Sequence, residues 1–129
     1  MKTILIVDDE QYIRKIYKNI LMASCRSVVR VLESGNALDA AEQVVREQVD
    51  VILLDIRMPR VSGRKLYDVI RKLNSNAKII IISVFPIDQQ RRLIPNADGY
   101  YDKSEGPFSL LEKVINPLTD EEIKHPRLS

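Results

Sequence analysis

The sequence predicts an α/β fold: a doubly wound, five-stranded parallel sheet with helices on both faces. Two observations carry this. Five short apolar runs alternate with five segments of helical periodicity, and that alternation is the mark of a parallel sheet. The runs at 3–7, 51–54 and 79–82 are continuously apolar and do not alternate with polar residues, as expected of strands covered on both faces.

Residues 3–7, Thr-Ile-Leu-Ile-Val, read as the first strand, followed at once by Asp8, Asp9 and Glu10. Ile13, Ile16, Tyr17, Ile20 and Leu21 then recur at i, i+3, i+4, i+7 and i+8, one face of a helix of about four turns. Arg14, Lys15, Lys18 and Asn19 fall on its other side. A second strand is expected over Ser27–Leu32. Gly35 breaks it and Asn36 caps a second helix, whose face is read from Ala37, Ala41, Val44 and Val45. The third strand, Val51–Leu54, ends on Asp55, and Pro59 stops it from continuing. After Gly63 a third helix shows Leu66, Val69, Ile70 and Leu73 at i, i+3, i+4 and i+7. Asn74-Ser75-Asn76 breaks that helix, and Ile79–Ser83 is the fourth strand. Pro95 limits the next helix to a short piece, Asp88–Leu93. A fifth strand over Asp98–Tyr101 leads to Lys103. Pro107 suits the first position of the last helix, with Phe108, Leu111 and Ile115 marking its buried face. Residues 1–116 are read as one domain and 117–129 as a polar tail or the start of a linker. Within the tail, Thr119-Asp-Glu-Glu122 has the form of a capping box.

Bulk properties narrow the function classes. The chain has 129 residues, a size typical of one domain. Its 45% apolar and 29% charged content fits a folded globular protein. A net charge of +2 gives no reason to expect binding to nucleic acid or to a membrane surface. The single cysteine, Cys25, excludes an internal disulfide. No run approaches the ~20 apolar residues of a membrane span, and the apolar run at 4–7 ends in acids, unlike a secretory signal. A cytoplasmic location is the expectation.

The aspartate at the tip of the third strand asks for an explanation, because an ionised carboxylate is costly to desolvate unless something compensates. In doubly wound sheets ligands bind beyond the carboxyl ends of the strands, where the strand order reverses. That rule puts Asp8 and Asp9 (strand one), Asp55 (strand three), Ser83 (strand four) and Lys103 (just past strand five) on one edge. Three carboxylates together would leave at least one protonated at neutral pH unless a cation joins them. Mg²⁺ suits hard oxygen ligands: Asp9 and Asp55 directly, Asp8 through a water, and the backbone carbonyl of Arg57. With charge so balanced, Asp55 is a candidate nucleophile for aspartyl-phosphate chemistry, with Lys103 and the Ser83 hydroxyl facing the transferring group.

Taken together, Asp8-Asp9, Asp55 in Leu-Asp-Ile-Arg-Met-Pro-x-x-x-Gly63, Ser83, and Lys103 after Ala97-Asp98-Gly99-Tyr100 resemble the receiver domain of two-component response regulators over residues 2–115. The resemblance implies a flavodoxin-like fold with sheet order 2-1-3-4-5. It implies that Asp55 accepts a phosphoryl group from a histidine kinase or histidine phosphotransfer protein, with Mg²⁺ as cofactor. On the same ground Ser83 and Lys103 are the switch hydroxyl and lysine, and Tyr100 is the aromatic that turns inward as the serine moves. The readout would be a changed surface of helix 4, strand 5 and helix 5, open to an output partner or to a homodimer. Such a domain is no enzyme toward other molecules; it catalyses only its own phosphorylation and dephosphorylation. Val84 stands where the family has a smaller residue, and Arg57 and Phe85 flank the path of an attacking water, so slow loss of phosphate is expected. Ser104 replaces the family's proline, which removes the reason for a cis bond after Lys103, since cis before a non-proline costs ~3 kcal/mol. The short stretch from Ser83 to Lys103 predicts a reduced fourth helix.

Two rival readings follow from the same residues. One is a receiver-like interaction module that works without phosphorylation. The other is a Mg²⁺ phosphohydrolase, which the chain disfavours because Arg57, not a second carboxylate, stands two residues after Asp55.

Overall fold

The computed structural model describes residues 1–25 and 29–118; of residues 25 and 116–118 only the backbone is described. The apolar runs form β1 (Lys2–Val7), β2 (Val29–Ser34), β3 (Val51–Asp55), β4 (Lys78–Ser83) and β5 (Gly99–Asp102). They alternate with α1 (Gln11–Cys25), α2 (Ala37–Arg46), α3 (Gly63–Leu73), α4 (Ile87–Leu93) and α5 (Pro107–Leu118). All strand pairs are parallel and the sheet order is β2-β1-β3-β4-β5. The order reverses at β1, which pairs with both β2 and β3. This places the crevice between the carboxyl ends of β1 and β3.

Because side chains alternate along a strand, the sheet feeds two separate cores. Leu5, Val7, Ile52, Leu54, Ile79, Ile81 and Tyr100 face α2 and α3. Ile4, Ile6, Val51, Leu53, Ile80, Ile82 and Tyr101 face Tyr17 and Leu21 of α1 and Leu110 and Val114 of α5. Adjacent Tyr100 and Tyr101 thus go to opposite faces, as strand geometry requires.

Several expectations shift by a residue or a row. β2 runs on to Ser34, two residues later than predicted, and residues 27 and 28 of the predicted strand lie outside the described residues. β5 is displaced one residue, to Gly99–Asp102. In α2 the buried row is Ala40 and Val44, and Val45 is 68% exposed. In α3 Leu66, Tyr67 and Ile70 are buried, whereas Val69 and Leu73 are exposed. Phe108 is not on the buried face of α5: it is 80% exposed, and Leu110 and Val114 pack against the sheet. Residues two apart on a helix point about 200° from each other, so the row that reaches the sheet turns Phe108 to solvent. Leu111 and Ile115 are partly buried at the edge of that contact. The Thr119–Glu122 turn lies outside the described residues.

The Asn36 cap and the breaks that the sequence announced are present, and Ser62 adds a cap that the sequence reading did not name. The Asn36 side chain accepts the N–H of Asp39 at 2.8 Å and Ser62 accepts that of Lys65 at 3.3 Å. Pro107 opens α5, and α4 is a single short piece of seven residues. No cis peptide bond occurs among the described residues. Gly63 is needed for close approach rather than for an unusual dihedral: a Cβ there would lie 2.5 Å from Ile56 Cβ and from the Ile56 carbonyl oxygen. The turn after β3 is thereby folded tightly against the start of α3, next to Asp55.

Candidate functional site

Strand register assembles the site. Val7 is level with Leu54, Asp55 with Ile82, and Ser83 with Asp102. The next residues, Asp8 after Val7 and Lys103 after Asp102, therefore emerge on the same edge as Asp55. Carboxylate oxygens of Asp8, Asp9 and Asp55 all lie within 4.8 Å of one another. Asp8 and Asp55 are buried and Asp9 is exposed. Lys103 Nζ is 2.9 Å from Asp8 Oδ2, 3.2 Å from Asp55 Oδ2 and 3.9 Å from Glu10 Oε1. Asp55 Oδ1 accepts the backbone N–H of Arg57 at 2.8 Å, and Asp8 Oδ1 that of Glu10 at 2.9 Å. The cluster opens into a cleft of about 560 Å³, bordered by Asp9, Arg57, Met58, Pro59, Val84 and Lys103.

The electrostatics show a site one cation short. Burial pushes the Asp55 carboxyl up from 3.8 to about 6, and the nearby charge of Asp8 pushes the same way. The Arg57 N–H and the Lys103 ammonium pull it back without cancelling the shift. Burial would lower the Lys103 ammonium, but Asp8 and Asp55 outweigh it, so Lys103 is raised and stays charged. One lysine thus serves two buried carboxylates. It hydrogen-bonds Asp55. Asp8 Oδ2 is left with the ion pair but no well-aligned hydrogen bond among the described residues. A buried acceptor in that condition, beside two more carboxylates, is a donor set that fits a hard divalent cation such as Mg²⁺.

Of the remaining predicted residues, Arg57 and Val84 line the same cleft as Asp55. Ser83 is fully buried at the end of β4, and its Oγ accepts the N–H of Phe85 at 3.1 Å. Val84 is 54% exposed at the cleft edge. The Arg57 side chain is exposed and stacks on Phe85, its Cζ 5.3 Å from the ring centroid. These two bulky residues act as one stacked unit beside the cleft. Tyr100 already points into the core. Its hydroxyl donates to the Ile94 carbonyl, and Arg91 lies over its ring at 5.1 Å.

Sequence reading missed two residues that support the site. Arg14 falls on the polar side of the helical wheel, yet it is mostly buried: Nη1 donates to the Asp8 carbonyl at 2.6 Å and Nε to Glu33 at 3.0 Å. Gly35 leaves room for it, since a Cβ there would meet Arg14 Nη1 at 3.0 Å. Gln90 is wholly buried and bridges Phe85 and Tyr101. Its signal was present in the sequence: it sits three residues after Ile87 and four before Ile94, at an apolar position of α4.

Comparison with known proteins agrees with this geometry. The family model for the response regulator receiver domain matches residues 4–115. The nitrate/nitrite response regulator NarP of Escherichia coli is 34% identical over 113 residues, covering 86% of this chain and 52% of NarP. The chain therefore spans about half the length of that relative. Chemotaxis protein CheY of Thermotoga maritima is 34% identical over 82 residues, 64% of this chain and 67% of CheY. Among solved structures, a CheY-like receiver domain protein from Methanospirillum hungatei superposes with a TM-score of 0.84 at 28% identity, covering 96% of this chain and 98% of that one. Response regulator TrrA of Thermotoga maritima, solved in complex with Mg²⁺-BeF, gives 0.80 at 32% identity over 91% of this chain and 99% of that one. The chain belongs to the response regulator receiver domains.

Proposed function

We propose that this domain is a phosphorylatable switch: Asp55 accepts a phosphoryl group from a phosphohistidine on a kinase or phosphotransfer protein, with Mg²⁺ as cofactor. The observation that carries the reading is the burial of Asp55 between Lys103 and the Asp8–Asp9 pair at the mouth of a cleft. Asp8, Asp9, Asp55 and the Arg57 carbonyl would hold the metal. When bound, Mg²⁺ would supply positive charge against the phosphoryl oxygens and favour the ionised form of Asp55.

The chain's own groups do the rest. An Asp55 carboxylate oxygen attacks phosphorus; the O–P bond forms as the P–N bond to the donor imidazole breaks, and the electron pair leaves with the nitrogen. The Arg57 N–H fixes Asp55 Oδ1, and so orients the carboxylate. Lys103 supplies a fixed cation for the transferring group, and the Ser83 hydroxyl donates to a phosphoryl oxygen. Arg57 and Phe85, stacked together, and Val84 at the rim hinder an in-line water, so the acyl phosphate is long-lived. Its new charge draws Ser83 and Lys103 inward, and the surface of α4, β5 and α5 changes for an output partner or a second copy. The domain turns over no other substrate.

The test is to titrate the full chain with beryllium fluoride in the presence of Mg²⁺ and to compare wild type with Asp55→Asn. A saturable spectral change confined to wild type is expected. No change in either protein would support an interaction module that works without phosphorylation.

A further inference from the structure

Ser83 ends β4 and Lys103 follows β5, and a closed ring of hydrogen bonds joins them. The Phe85 N–H donates to Ser83 Oγ at 3.1 Å, and the Phe85 carbonyl accepts Gln90 Nε2 at 2.8 Å. The same Nε2 donates to the Tyr101 carbonyl at 2.9 Å. Two residues further along the chain, the Lys103 N–H donates to the Ser83 carbonyl at 2.8 Å and closes the ring. Gln90 is the only link in this ring made by a side-chain amide from another element, and both of its N–H donors are used.

Packing alone does not account for this residue. Gln90 is wholly buried, and its Oε1 has no hydrogen-bond partner among the described residues. A buried unpaired acceptor is costly, and an aliphatic side chain of the same length would avoid the cost. α4 has only seven residues, and Pro86, which precedes it, makes no side-chain cap. Such a helix offers little rigidity of its own, so the amide is what fixes the 84–86 turn to β5.

We propose that Gln90 is a positioning residue for the phosphoryl group on Asp55. It clamps the turn that follows Ser83 to the strand that leads into Lys103, so that hydroxyl and ammonium advance as one unit. This rests on the phospho-acceptor reading and adds to it the group that couples the two phosphate-gripping residues. Gln90 itself touches neither Asp55 nor the cleft; it acts through Phe85 and Tyr101.

The experiment is a double-mutant cycle on the full chain with Mg²⁺ and beryllium fluoride: wild type, Gln90→Met, Ser83→Ala and the double variant. Gln90→Met is expected to weaken beryllium fluoride binding about tenfold in the wild-type background and less than about twofold in Ser83→Ala, the non-additivity expected of groups in one hydrogen-bonded unit. In the metal-free protein the same variant should speed exchange of the Phe85 and Lys103 amide protons. A wild-type measurement needs no variant: the Gln90 side-chain amide resonance should shift during the titration with the same midpoint as the Ser83 and Lys103 backbone resonances. Equal losses in both backgrounds, or a Gln90 resonance that stays in place while Ser83 and Lys103 shift, would overturn this role and leave Asp55 as acceptor. A wild type that binds no beryllium fluoride would overturn both.

Discussion

Lys103 hydrogen-bonds Asp55 across 48 residues of sequence, Nζ to Oδ2 at 3.2 Å, while standing still closer to Asp8, at 2.9 Å. A single ammonium divided between two buried carboxylates leaves a net negative pocket. Burial raises Asp55, the Asp8 charge adds to that rise, and the one ammonium does not cancel it; the fit of the cluster to a divalent cation follows from the same imbalance.

The first prediction is a pH dependence of the metal-free protein. The folded-state pKa of Asp55 is about 6, against an ordinary value of 3.8. As pH rises from about 4 to 6 the unfolded chain loses this proton first and the folded state retains it, so the Asp55 contribution to stability falls across that window and is flat on either side. Asp55→Asn removes this slope. At pH 7 without metal it should stabilise the fold by about 1–3 kcal/mol, the lost Lys103 contact offsetting part of the gain. Urea unfolding at pH 4, 5, 6 and 7 checks both statements; a wild type whose stability climbs between pH 4 and 6 by the Asp55-dependent part would contradict them.

Gly63→Ala should be strongly destabilising despite adding one methyl group to a helix start. The new Cβ meets backbone and Cβ atoms of Ile56, which cannot swing aside. Overpacking of this kind costs about 1–3 kcal/mol. Because Ile56 adjoins Asp55, the variant should lose Mg²⁺ affinity as well as stability. A thermal melt paired with a Mg²⁺ titration measures the two effects, and unchanged values in both would contradict the close-packed turn.

Arg14→Ala should damage the metal site without touching a carboxylate side chain. Arg14 ties the Asp8 carbonyl to Glu33, holding the chain as it turns from β1 toward α1. Loss of a charge-assisted, largely buried hydrogen bond costs about 1.5–3 kcal/mol. Calorimetric Mg²⁺ binding should weaken about tenfold, while Lys18→Ala, whose contact to Glu33 is 3.8 Å and exposed, should have little effect.

Arg57→Ala and Phe85→Ala should each shorten the lifetime of phosphorylated protein. The two side chains stack at 5.3 Å, so removing either frees the other. A cation–π contact of ~0.5–2 kcal/mol lost from the barrier to water is about a two- to thirtyfold faster hydrolysis. The wild-type phosphoprotein should persist for minutes or longer with Mg²⁺ present, followed by loss of label over time; a lifetime of seconds would contradict the shielding role.

The sheet edge that carries the chemistry was legible because each reactive side chain lies at or just past the end of an apolar run, and a parallel sheet brings such ends together. Asp8, Asp55, Ser83 and Lys103 needed no more than that. Helix faces were less legible. Val45, Val69 and Phe108 are apolar and fit a helical period, but Val45 and Val69 lie on rows beside the one that reaches the sheet and Phe108 nearly opposite it, and only docking selects the row. Arg14 and Gln90 were hidden for the opposite reason. Polar residues read as solvent-facing, whereas both are buried to satisfy backbone carbonyls that exist as needs only in the folded chain. The inward state of Tyr100 is likewise a property of α4 and the residue that caps it, since Arg91 and the Ile94 carbonyl hold it, and no spacing in the sequence encodes it.

The central claim is that Asp55 carries the phosphoryl group. Intact-mass measurement of the full chain after incubation with Mg²⁺ and a small phosphoryl donor tests it most directly. One added phosphoryl group on wild type and none on Asp55→Asn is the predicted result. An equal gain on both proteins, or none on wild type under conditions where Mg²⁺ binds, would contradict it.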